Sequence, residues 1–185
     1  MCENGDNVLY MVDFLKKQAR EDPSFVMKLM FNQNGQEFEK YKELLLKFKS
    51  YHPKIKAKKC DITTTEKGNL LEHLVQFLLI QSGLYKIKTN IKNDSNEIDV
   101  ITEYNDLGNI VKDIFPEFLK QNFLCECKNY SGNIDVTWVG KFYSLLKTTD
   151  KKLGIIFSYG KITGKGEWDA AKALIKKLYL KDGII

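Results

Sequence analysis

The feature that most constrains this chain is a change of hydrophobic period at Gly83. Before it, Leu70, Leu71, Leu74, Val75 and Leu78 recur at helical spacing, predicting a helix over 66–82 that the glycine stops. After it come two segments rich in β-branched residues, 85–91 and 97–104, separated by the polar run Asn93-Asp94-Ser95-Asn96. A third strand is expected over Phe123 to Asn129, followed by an amphipathic helix built on Trp138, Val139, Phe142, Leu145 and Leu146. Leu153 to Tyr159 is a short apolar run of the kind that forms a buried strand, and Trp168, Ala171, Ile175 and Leu178 mark a final helix.

The order helix, three strands, helix, strand, helix predicts an α/β fold. Three consecutive strands suggest a meander, and the helical crossover suggests a fourth strand added in parallel, with helices on both faces. Residues 105–122 are too long for a hairpin loop and are expected to hold a short helix around Pro116 to Lys120.

The first fifty residues read as helices. One stripe is Val8, Met11, Val12 and Leu15, and another is Phe38, Tyr41, Leu45 and Phe48. Between them, Asp22-Pro23 has the form of an N-cap with proline at the first helical position, opening a helix through Met30. Residues 50–65, with His52-Pro53, Lys54, Lys56, Lys58, Lys59 and a threonine triplet, read as a linker. The expected division is therefore a helical extension and basic linker over 1–60, then the α/β domain over 61–185.

A chain of 185 residues, 43% hydrophobic, can build one core of that size. No run of eighteen apolar residues occurs, which excludes a membrane-spanning helix, and the N-terminus shows no secretory signal. Four cysteines without framework spacing then read as free thiols in a reducing, cytoplasmic setting. The net charge of +5 suits an anionic partner without requiring one.

The chemistry gathers on the strands. Side chains alternate along a strand, so Glu126 and Lys128 share one face while Cys125 and Cys127 take the other. On the preceding strand, Ile98 and Val100 are expected on one face, with Glu97 and Asp99 on the opposite one. Adjacent strands would then bring Asp99 beside Glu126 and Lys128. Crowded carboxylates repel until a cation resolves the conflict. Mg²⁺ is a hard ion suited to oxygen ligands, and it can activate water against a phosphodiester. Glu-x-Lys alone is common, and it is the apolar setting Phe123-Leu124-Cys125-Glu126-Cys127-Lys128 that gives it weight.

These residues resemble the PD-(D/E)xK restriction-endonuclease-like superfamily, and its Mrr-like branch in particular. The resemblance runs from Gly68 to about Leu180. It is carried by Glu72 in Gly68-Asn69-Leu70-Leu71-Glu72-His73-Leu74, Asp99 in Glu97-Ile98-Asp99-Val100, and Glu126-Cys127-Lys128. It implies a restriction-endonuclease-like core and a catalytic set of Glu72, Asp99, Glu126 and Lys128. Asp99 and Glu126 would ligate Mg²⁺, with Mn²⁺ able to substitute, aided by the Cys127 backbone carbonyl. Lys128 would position the attacking water, and Glu72 would support the metal's shell or bind a second ion. The Mrr-like branch often has glutamine where Glu126 stands, so this chain departs toward the general superfamily form.

The implied activity is metal-dependent hydrolysis of DNA by an endonuclease of prokaryotic restriction or defence type. A repair or Holliday-junction-resolving nuclease is the alternative, as is a non-catalytic DNA-binding module that retains the fold. Six lysines between Lys47 and Lys59, with no acid among them, include the candidate phosphate contacts Lys54, Lys56, Lys58 and Lys59. Lys161 and Lys165, in the glycine-bearing loop after the fourth strand, are comparable. Beyond DNA, the partners to consider are a second copy of the chain and a separate recognition subunit. Cys125 and Cys127 lack a second pair at zinc spacing and read as small core residues, and His73 as a bystander. Tyr130 and Trp138 follow the acidic strand and are candidates to touch DNA, although the helical spacing of Trp138 with Phe142 favours a place in the core.

Overall fold

The computed structural model describes residues 3–22, 35–51, 63–93, 96–129 and 132–184. Helices α1 (Glu3–Glu21) and α2 (Gly35–Ser50) precede α3 (Thr64–Gln81). Helix α3 begins two residues earlier than its apolar period suggests, because Thr63 and Glu66 form a reciprocal capping box. The Glu66 N–H donates to Thr63 Oγ1 at 3.1 Å, and the Thr63 N–H donates to Glu66 Oε2 at 2.7 Å. Gly83, at φ 68°, takes the left-handed conformation that turns the chain out of the helix.

Strands β1 (Tyr85–Asn93) and β2 (Asn96–Tyr104) form an antiparallel ribbon, and β2 pairs antiparallel with β3 (Leu124–Lys128). After the crossover helix α5 (Val136–Thr148), β4 (Gly154–Ser158) joins β3 in parallel, giving the sheet order β1-β2-β3-β4. Helix α6 (Ala170–Asp182) closes the chain. The expected meander with a parallel addition is what forms. The connection after β2 carries more structure than expected: α4 (Asp106–Val111), then 3₁₀ turns at Lys112–Ile114 and Glu117–Leu119. Asn105 starts it, its Oδ1 accepting from the Gly108 N–H and its amide donating to the Gly83 carbonyl, both at 2.8 Å.

The two faces of the sheet bury different sets. Helix α3 lays Leu71, Leu74 and Val75 against Val100, Phe123 and Cys125, and Phe48 of α2 joins this layer. On the other face Phe142, Leu145 and Leu146 of α5 meet Ile98, Leu124 and Ile184. Full burial of each such large side chain contributes roughly 1.5–3 kcal/mol. Helix α1 docks through Leu15 beside Leu84, Tyr104 and Val111.

Two stripes differ from their helical spacing. Trp168 precedes α6 and is 62% exposed, and Ile175 is exposed as well. Of the expected stripe the helix buries Ala171 and packs Leu178 beside it, and it adds Leu174 against the same cluster and a buried Ala173, which the spacing did not include. On α1, Met11 is exposed, Val12 is half-buried and Leu15 is buried. Period alone identifies an apolar arc but not which part of it meets a neighbour. The helix expected from Pro23 to Met30, and Lys54, Lys56, Lys58 and Lys59, lie outside the described residues. Among the described residues, no helix is long and apolar enough to cross a membrane.

Candidate active site

The pairing of β2 with β3 runs through Ile101↔Leu124 and Val100↔Cys125 and stops there. One residue further on, where Asp99 would face Glu126, the ladder is replaced by a side-chain contact. Asp99 Oδ2 accepts the Cys127 N–H at 2.6 Å. The carboxylate thus takes the place of the missing backbone partner and is anchored in the gap where the strands part.

Glu126 and Lys128 lie on one face of β3, as alternation requires, and form an ion pair between Oε1 and Nζ. Both side chains are largely enclosed, at 13% and 18% exposure, which makes this the least solvated ion pair among the described residues. Lys128 Nζ also lies 4.5 Å from the centre of the Trp138 ring, and Lys141 of the next helical turn approaches the same ring at 5.2 Å. Trp138 reaches this position from the first turn of α5. There Asp135 Oδ1 caps the helix by accepting the N–H groups of Thr137 and Trp138, at 2.9 and 3.1 Å. Trp138 packs on the Ile134, Val139 and Ala171 cluster as its spacing predicts, and it also flanks the lysine, which nothing in the spacing announces.

Burial holds the Glu126 carboxyl above the ordinary carboxylate range. The hydrogen bond from Lys128 opposes that shift, and the charges of Asp99 and Glu72 add to it. Glu72, half-buried on α3, is therefore within electrostatic reach of the strand acids. His73 next to it is exposed. The cysteines do face the α3 layer as small core groups. Burial, with Asp99 close by, pushes the Cys125 thiol up to about 12 and the Cys127 thiol higher still, so both remain protonated thiols.

One expectation about β2 is overturned. Ile98 and Val100 do not share a face: Ile98 packs with Leu124 and α5, and Val100 packs with Cys125 and α3. The strand therefore rotates at Asp99, and strict alternation fails there.

Among the described residues, no group of three or more His, Cys, Asp and Glu side chains is gathered closely enough to hold a metal ion. A divalent cation of the Mg²⁺ type does not need such a group, since one or two carboxylates, backbone oxygen and water suffice. The donors here are hard oxygens, and the charges of Asp99 and Glu72 both bear on the buried Glu126 carboxyl, an imbalance that such an ion would relieve. The residues fit the ion.

The loops leaving β3 and β4 are joined. Ile134 and Ile162 form a parallel bridge, the Ile134 N–H donates to the Lys161 carbonyl at 2.9 Å, and the Lys161 N–H donates to Asn133 Oδ1 at 3.2 Å. Lys128 is in register with Ser158, so this paired rim continues from the Lys128 end of the sheet and carries the exposed Lys161. Lys165 is exposed too, its N–H held by Asp169 Oδ2 at 3.2 Å. A half-open apolar pocket lies elsewhere on the α5 face. It is a cavity of about 280 Å³ between α5, β4 and α6, lined by residues such as Phe142, Ile156 and Leu178, and its walls carry none of the acids.

Comparison with known proteins gives one match. The family model of a restriction endonuclease, the Mrr-type catalytic domain, aligns with residues 63–183. No curated protein and no solved structure matches the chain.

Proposed function

The chain belongs to the restriction endonuclease family, in its Mrr-like branch, and from that premise we propose that it is a divalent-metal-dependent DNA endonuclease acting through Asp99, Glu126 and Lys128. The observation that carries this reading is the parting of β2 and β3, with Asp99 held on the Cys127 N–H and the enclosed Glu126–Lys128 pair beside it. A surface ion pair would not be buried to this degree, and a purely structural sheet would continue its ladder.

In this reading the Asp99 and Glu126 carboxylates and the Cys127 carbonyl hold Mg²⁺, for which Mn²⁺ substitutes, and Glu72 supports that set from α3. The cation supplies Lewis-acid activation of water and neutralises charge building on the phosphodiester. Lys128 orients the attacking water against the phosphorus. Its ammonium is confined between Glu126 and the Trp138 face, so little reorganisation is needed when substrate arrives. Lys161 and Lys165, with Lys54, Lys56, Lys58 and Lys59, serve as backbone phosphate contacts of the salt-sensitive, sequence-blind kind. Cutting both strands of a duplex calls for two sites, which a homodimer provides, and a separate subunit would supply target recognition. Residues 61–185 form the nuclease domain and 1–60 its helical extension.

The test is cleavage of supercoiled plasmid, linear duplex and a four-way junction with Mg²⁺, Mn²⁺ or EDTA. Metal-dependent cutting of plasmid, abolished by EDTA and by Lys128→Ala, is the expected result. Mg²⁺-independent binding without scission by folded protein would refute it, and a strong preference for the junction would replace restriction with resolution.

A further inference from the structure

We propose that Asn90, a residue of β1 that makes no part of the acid–lysine set, is the positioning residue that aims Asp99; the functional weight of this inference rests on the reading of Asp99 just given. Three observations meet at this point. Asn90 has φ 51°, in the left-handed region, inside a nine-residue strand. The β1–β2 ladder pairs Thr89 with Val100 and Ile91 with Ile98, and the intervening Asn90–Asp99 pair is lost. Both strands change face across that missing pair. Ile87 packs with the α3 layer and Ile91 with the α5 layer, while Val100 packs with the α3 layer and Ile98 with the α5 layer.

A regular two-stranded ribbon cannot do this, because residues two apart share a face. The ribbon turns over between positions 89–100 and 91–98, and the turn needs one residue that accepts a positive φ. Asparagine is the commonest non-glycine choice there, whereas a β-branched residue, otherwise favoured in strands, is excluded by its Cβ substituents. The rotation has two products. It keeps Ile98 at 1% exposure and Val100 at 0%, each in its own core layer. It also releases Asp99 from the ladder, so that its carboxylate reaches the Cys127 N–H across the parted strands at 2.6 Å. Strain held at one backbone position thus fixes a carboxylate on the neighbouring strand.

The experiment compares Asn90→Gly, which keeps access to positive φ, with Asn90→Val and the milder Asn90→Ala, which resist it. The first readout is the Cys127 amide in metal-free protein, by its proton chemical shift and hydrogen-exchange protection. The second is kcat and KM for Mg²⁺-dependent plasmid cleavage. Native-like Cys127 shift and protection are expected in Asn90→Gly. Asn90→Val should move the resonance upfield and reduce protection by about tenfold or more. Asn90→Ala should fall between them, and it serves in place of the valine variant if that one does not fold. Cleavage should drop in kcat by roughly 10- to 100-fold in Asn90→Val, the scale for ångström-level misplacement of a reacting group, with KM nearly constant. An unchanged Cys127 amide in folded Asn90→Val and Asn90→Ala would overturn the proposal. So would an Asn90→Gly protein as impaired as Asn90→Val, since the side chain and not the backbone would then be at work. If the amide responds as expected while the native protein cuts no DNA, the positioning role stands and the nuclease reading falls.

Discussion

The two ends of β2 are built from opposite rules. At the Thr102–Tyr104 end every polar group is answered. Thr102 is fully buried, and its hydroxyl both donates to the Phe123 carbonyl at 2.9 Å and accepts the Phe123 N–H at 3.0 Å. The Tyr85 ring packs against those of Tyr104 and Phe123, with centroids 4.9 and 5.3 Å away. At the Asp99 end, five residues away at most, the ladder is broken. The charges of Asp99 and Glu72 act on Glu126, whose carboxyl is held up by burial despite a lysine in contact. The β1–β2 pairing resumes beyond Asp99 at Ile91↔Ile98, and the β3–β4 pairing runs on through Lys128↔Ser158, so the parted stretch is held from both sides. Polar groups left in conflict at one place, within a sheet otherwise satisfied, are the mark of a site kept for chemistry.

Substitutions can break that contrast in a graded way. Asp99→Ala or Lys128→Ala should lower plasmid cleavage by about a thousandfold or more, the scale on which a single electrostatic or positioning group in a transition state is felt. Both proteins should remain folded by circular dichroism although each loses a part-buried partner, so the loss of cleavage far exceeds any loss of folded protein, checked by parallel cleavage and thermal melts. Thr102→Val should do the reverse. It leaves the Phe123 backbone without its buried hydroxyl partner and should cost about 1–3 kcal/mol of stability in urea unfolding, with the specific activity of folded protein retained.

Trp138→Leu probes the flank of the site. Loss of the aromatic face beneath Lys128 should reduce kcat by roughly three- to thirtyfold, from the 0.5–2 kcal/mol of a partly desolvated cation–π contact, with little change in fold by circular dichroism. The smallest effect is a gain. Because the folded-state pKa of Glu126 is raised, the native state binds the proton more tightly than the unfolded chain does. The associated stability is fully present below the ordinary value of 4.5 and is lost as pH rises through the raised one. Metal-free Glu126→Gln should therefore melt above the native protein at pH 7 by on the order of 2 °C, and the difference should vanish near pH 4. An unchanged melting temperature at pH 7 would mean that the acidic end is less frustrated than its burial implies.

Much of this was legible in the residues. The Gly83 period change located α3 and the ribbon, and the apolar setting of Glu126-x-Lys128 marked one strand for chemistry, because both signals are local and periodic. The Thr63-x-x-Glu66 capping box was equally local and sets the start of α3 two residues before the apolar stripe. What could not be read is what depends on three dimensions. Trp138 sits ten positions after Lys128, and only the crossover angle of α5 lays its ring on the ammonium. The turnover at Asn90 contradicts the β-branched rhythm around it, and an asparagine inside a strand carries no sign of which carboxylate it serves. The α4 segment was hidden because Asn105 starts it with a side-chain cap and not with an apolar stripe.

The bridge between the loops after β3 and β4 bears on how a site of this kind can change over generations. A Cβ at Gly160 would lie 2.0 Å from the Gly132 carbonyl oxygen, so the two loops touch backbone to backbone as well as through Ile134 and Ile162. An insertion between Gly132 and Ile134, or between Gly160 and Ile162, would break these contacts and pull Lys161 from Asn133. Changes of loop length are therefore better tolerated outside these contacts than within them.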